Sequence, residues 1–88
     1  MIEFEVKEFY YENNLYYKIE TNKERFISSK QLAKLINVTD IEFYFYMMNN
    51  CNAVNIGFDC TIFKTYEGAQ KAIDWICSKI LMNKLIER

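Results

Sequence analysis

The sequence predicts a single small α+β domain with the element order ββααβ(β)α. Three observations predict it: two alternating runs flank an Asn-rich turn near the start, two Ser/Thr-x-x-Gln/Glu capping patterns follow, and a long stripe of apolar residues at helical spacing closes the chain. At 88 residues there is room for one core and no second domain, so residues 1–88 form one unit.

Each element has its own local warrant. Ile2, Phe4 and Val6 alternate with Glu3, Glu5 and Lys7, the period of a strand with one wet face. Leu15, Tyr17 and Ile19 alternate with Tyr16, Lys18 and Glu20. The intervening Glu12-Asn13-Asn14 tolerates positive φ, so the two runs read as a hairpin. Ser28 and Gln31 have the spacing of a capping box, and Ile27 and Leu32 that of a hydrophobic staple. Thr39 and Glu42 repeat the box, with Val38 and Phe43 in the staple positions.

Residues 40–50, within TDIEFYFYMMNN, carry conflicting signals. β-propensity and the alternation Ile41, Phe43, Phe45, Met47 favour a strand. The capping pattern and the acids Asp40 and Glu42 in the first turn favour a helix, the reading adopted here with the strand as its alternative. AVNIG at 53–57 and CTIFK at 60–64, around Phe58-Asp59, form a tight hairpin or one bent strand. Thr65 then caps a long helix whose inner stripe is Ala69, Ala72, Ile73, Ile76, Cys77 and Ile80. Trp75, Met82 and Ile86 fall opposite that stripe, with Leu81 and Leu85 between.

Composition argues against most chemistries. The chain has no histidine, hence no imidazole base, metal ligand or Ser-His or Cys-His pair. With only Gly57 and Gly68 there is no glycine-rich phosphate loop. Cys51, Cys60 and Cys77 lack zinc-site spacing, and their odd number suits a reducing compartment. The start of the chain lacks the layout of a signal peptide, and no apolar run is long enough for a bilayer. The expectations are no enzyme, no cofactor, no metal, no membrane partner and a cytoplasmic location.

Ile, Lys, Asn and Tyr are abundant while Ala, Gly, Pro and Arg together number eight, a bias toward A/T-rich codons. The segment QLAKLINVTDIEFYFY resembles a helix-turn-helix. Ala33 stands at the close helix crossing, Asn37 and Val38 at the turn, and Phe43 and Tyr46 face inward on the second helix. Over residues 28–64 the resemblance extends to a winged form, with the strands at 53–64 as the wing. It implies a DNA-binding regulator using Lys30, Lys34 and Lys64. The sequence departs from that pattern where docking would occur. Asn37 replaces the usual turn glycine, and the outward positions read Thr39, Asp40, Glu42 and Tyr44. With a net charge of −1, this argues against nucleic acid as the partner.

Fifteen aromatic residues exceed what so small a core can hold, and some of Tyr44, Tyr46, Met47 and Met48 should reach the surface. The plain alternative is that tyrosine is cheap in A/T-rich coding and sits at the rim of the core. The expected docking residues are Tyr10, Tyr16, Asp40, Glu42, Tyr44, Tyr46, Met48 and Trp75. In size, acidity and composition the chain is similar to small accessory proteins of phages and mobile elements, such as anti-CRISPR and other anti-defence inhibitors. That similarity implies a non-enzymatic inhibitor acting by direct contact with a host protein or nuclease complex. A third reading is a structural homodimer joined through the final helix.

Overall fold

An antiparallel hairpin organises the fold. In the computed structural model, which describes residues 2–23, 28–56 and 60–86 with side chains through Lys84, β1 (Phe4–Tyr11) pairs with β2 (Asn14–Thr21). The register runs unbroken from Phe4↔Thr21 to Tyr11↔Asn14. The loop is the two residues Glu12 and Asn13, at φ 50° and 65°, the positive-φ pair that a type I′ turn demands. Ile27, Gly57, Phe58, Asp59, Arg25 and Arg88, and the side chains of Leu85 and Ile86, lie outside the described residues, so the Ile27 staple and the Phe58-Asp59 turn are not described.

The next two elements start at their predicted caps. In α1 (Ser29–Leu35), Ser28 Oγ accepts from the Gln31 amide at 3.1 Å, and Gln31 Oε1 accepts from the Ser28 amide at 2.8 Å. Asn37 then takes φ 59°, and the Val38 amide donates back to the Ala33 carbonyl at 3.0 Å. Asn substitutes there for the glycine that usually ends a helix in this way. Residues 40–50 are helical: α2 (Asp40–Asn50) is capped by Thr39 Oγ1, which accepts from the Glu42 amide at 3.1 Å. The cap and the acidic first turn outweigh the β-propensity of the aromatic run.

The segment from 53 to 64 resolves into two strands. β3 (Ala53–Asn55) pairs with β4 (Thr61–Phe63), and β4 joins the N-terminal hairpin through Tyr17↔Phe63. The sheet order is therefore β1-β2-β4-β3, all antiparallel. Finally α3 (Tyr66–Ile86) starts where Thr65 Oγ1 accepts from the Gly68 amide at 2.9 Å. Gly68 is required at this point. A Cβ would run into the carbonyl oxygen of Cys51, the residue that ends α2.

One face of the sheet carries the core. Phe4, Val6, Tyr17, Ile19, Ala53 and Phe63 meet Leu32, Ala33 and Ile36 around α1, Phe43 and Met47 from α2, and Ala69, Ala72, Ile73 and Ile76 from α3. Each fully buried large side chain contributes roughly 1.5–3 kcal/mol of transfer free energy. One member of the predicted α3 stripe is out of place: Cys77 is exposed. It follows Ile76 by 100° around the helix and so rolls off the core onto the groove beside Ile2 and Phe4. Asn83 ties the far end of α3 to α1, its Nδ2 donating to the Ile36 carbonyl at 2.9 Å.

Candidate protein-binding face on the second helix

α2 carries two apolar faces, and only one is used by the core. Phe43 and Met47, one turn apart, point inward and are 2% and 0% exposed. Ile41, Phe45 and Met48 follow the same i, i+4, i+7 spacing on the opposite side and are 81%, 69% and 41% exposed. Tyr44 lies between the two faces, half-buried, its ring edge-on to Phe43 at 6.2 Å. The outward row is therefore continuous over about two turns.

The helix is packed from behind. Tyr46 stacks on Trp75 at 4.2 Å with 9° between the rings, and Trp75 meets Phe43 at 6.0 Å. Lys79 places its ammonium 5.8 Å from the Trp75 ring centre. Burial pushes the Tyr46 phenol above its ordinary 10.0. At the C-terminal end of α2, Asn49 Nδ2 donates to the Phe45 carbonyl at 2.8 Å and Asn50 Nδ2 to the Tyr46 carbonyl at 3.2 Å. The N-terminal turn presents Asp40 and Glu42 to solvent, and the last turn has no basic residue.

The eight residues expected to dock do not form one surface. Met48 belongs to the outward row of α2, Asp40 and Glu42 are exposed on its two flanks, and Tyr44 lies half-buried at its edge. Tyr46 and Trp75 instead pack against each other at the rim of the core, because α3 crosses α2 there. Tyr10 is 69% exposed near the hairpin tip. Tyr16 lies half-buried on the other side of the hairpin, opposite Phe9. Met47, a candidate for the surface, is fully buried, because one helical turn places it under Phe43. Ile41 and Phe45, the two most exposed residues of the patch, were missed. Their spacing from Phe43 and Met47 was the available signal.

Other candidate sites are modest. Lys30 and Lys34 line an open depression of about 450 Å³ with Asn37, Val38, Thr39 and Asp40. A cavity of about 20 Å³ beneath Ser29 and Thr61, whose hydroxyls bond at 2.6 Å, has room for one water. Among the described residues, no three Cys, Asp or Glu converge as metal ligands, and no helix is long and apolar enough to cross a membrane. Burial raises the thiol of Cys51 above its ordinary 9.0; on the exposed Cys77 the partial loss of water beside its helix, with the Asp74 carboxylate, pushes the thiol in the same direction.

Comparison of the chain with protein-family models, with curated proteins and with solved structures finds no match.

Proposed function

We propose that the chain is a non-enzymatic protein-binding module that docks α2 into an apolar groove of a larger protein. The observation that carries this reading is the outward row Ile41, Phe45 and Met48 on a helix whose inner row is already satisfied. Leaving Ile41 and Phe45 in water forgoes roughly 1.5–3 kcal/mol of burial for each. A helix presenting anchors at i, i+4 and i+7 is the standard ligand of a hydrophobic groove.

Charge narrows the chemistry of the partner. Asp40 and Glu42 flank the row and α2 itself carries no cation. Lys30 and Lys34 of α1 share a depression with Asp40, so it is beside Glu42 that the groove is rimmed by Lys or Arg. Nucleic-acid-handling proteins and nucleases carry such basic rims, which suits a small contact inhibitor of a host protein or nuclease complex.

The test has two stages. A photo-crosslinking residue is placed at Phe45 and, as a control, at the exposed Lys71 of α3, and the captured protein is identified and purified. Its binding to wild type, Ile41→Ser and Phe45→Ser is then measured. The expected result is capture from position 45 alone and at least about tenfold weaker binding by each variant. Equal capture from both positions, or unchanged affinity, refutes the reading.

A further inference from the structure

The hairpin carries a pattern that the monomer does not explain. In the β1–β2 register Glu5 lies directly opposite Glu20, and Lys7 directly opposite Lys18. Like charges facing each other across a ladder are destabilising. The partial remedy is along each strand: Lys7 pairs with Glu5 at 2.9 Å and Lys18 with Glu20 at 3.0 Å. The sheet face away from the helices thus has an acidic row, Glu20–Glu5, beside a basic row, Lys18–Lys7. Both rows end at β1, the edge of the sheet.

That edge is built to continue. The two-residue loop makes Tyr11 and Asn14 a hydrogen-bonded pair, and the Asn22 amide donates to the Glu3 carbonyl at 3.1 Å. Odd-numbered residues of β1 therefore turn their amides and carbonyls toward β2. Those of Phe4, Val6, Glu8 and Tyr10 point outward along the edge. No break in the register blunts this strand, and it contains no proline.

We infer that β1 pairs antiparallel with β1 of a second copy of this chain, the two-fold axis passing through Val6. Outward-facing residues must oppose one another, which allows the axis to sit on a residue of the strand. An axis at Glu5, Lys7 or Glu8 sets that charge against itself. An axis at Val6 sets Lys7 opposite Glu5 of the second copy, twice by symmetry. The acidic row of one copy then runs into the basic row of the other, and the like-charge pairs gain opposite neighbours on the outer side.

The helix-covered face agrees with the same register. Ile2, Phe4, Cys77, Ile80, Leu81 and Lys84 line an apolar groove of about 270 Å³ between the start of β1 and α3. Pairing about Val6 brings Tyr10 of the second copy opposite Ile2, and Glu8 opposite Phe4. The exposed Tyr10 ring thereby gains an apolar seat, and Glu8 arrives at the groove that Lys84 lines. Tyr10 and the groove lie at opposite ends of β1, so a two-fold axis fills both grooves at once. The surface is distinct from α2, and the dimer would present two copies of the α2 face.

Sedimentation velocity over a concentration series tests this with charge reversals. Wild type is expected to dimerise. Glu5→Lys and Lys7→Glu each turn two attractive contacts into repulsive ones and should weaken the dimer by about tenfold or more. The double variant Glu5→Lys/Lys7→Glu restores the complementarity and should return the dissociation constant to near the wild-type value. Each single variant relieves one cross-strand like-charge pair, against Glu20 or Lys18, but also loses the Glu5–Lys7 ion pair. The two changes offset, so thermal stability at a concentration where the chain is monomeric should stay near that of wild type. A weakened dimer matched by an equal loss of monomer stability would count against the proposal. Phe45→Ser should leave the dimer intact. A wild type that is monomeric at the highest soluble concentration, single variants without effect, or a double variant that stays weak would each overturn the proposal.

Discussion

Replacing Gly68 by alanine should destabilise the protein, although helix propensity alone says the opposite. Gly68 lies in the first turn of α3, where alanine is worth about 1 kcal/mol over glycine. The added methyl, however, meets the backbone carbonyl of Cys51, and its distance to Thr65 Oγ1 is 2.9 Å. A backbone oxygen cannot swing aside as a flexible side chain would. Overpacking of this kind costs about 1–3 kcal/mol, and disturbing the Thr65 cap about 1 kcal/mol more. Set against the propensity gain, the net loss should be about 1–3 kcal/mol, or a Tm lower by roughly 5–20 °C for a domain of this size. Calorimetry or urea unfolding with circular dichroism would measure it. A Gly68→Ala variant with a higher Tm than wild type would refute the placement of α3 against the end of α2.

Three further outcomes are expected. Met47→Ala should cost about 2–5 kcal/mol in urea unfolding, because it empties a fully buried site, whereas Phe45→Ala should change stability by less than about 0.5 kcal/mol. Glu12→Asn combined with Asn13→Gly should raise stability by about 1 kcal/mol, because both positions hold positive φ in a type I′ loop; a loss on calorimetry would contradict that turn. Stability should fall in alkaline solution. Cys51 and Cys77 are raised above 9.0 and Tyr46 above 10.0, so the folded state holds these protons more tightly. That contribution is complete below pH 9.0 and is lost as pH climbs through the raised values. Cys51→Ala should flatten the decline, and a pH profile of unfolding free energy identical to wild type would contradict the burial of that thiol.

Local structure was largely legible in the sequence, because it is encoded within a few residues. The Ser28–Gln31 box, the Thr39 cap, the Asn-rich turn and the Ala69 to Ile76 stripe each specify an element without help from the rest of the chain. The contacts between distant segments were not legible. The stack of Tyr46 on Trp75 and the pairing of Tyr17 with Phe63 join segments 29 and 46 residues apart, which no local pattern records. At the candidate site a different property decides. Residue type drew attention to tyrosine and methionine, whereas position on the helix decides exposure. Phe43 and Phe45 are the same residue two places apart, and one is buried while the other is bare. Once Phe43 and Met47 are assigned inward, the outward positions of Ile41, Phe45 and Met48 follow from 100° per residue.

The most direct measurement of the two-faced helix is thiol labelling of cysteines placed singly at positions 41, 43, 45 and 47, in a background with the native Cys60 and Cys77 replaced by serine. A helix with its second apolar face in water gives fast labelling at 41 and 45 and strong protection at 43 and 47. Uniform reactivity across the four positions, as one face of a strand would give, or protection at 45, would contradict it.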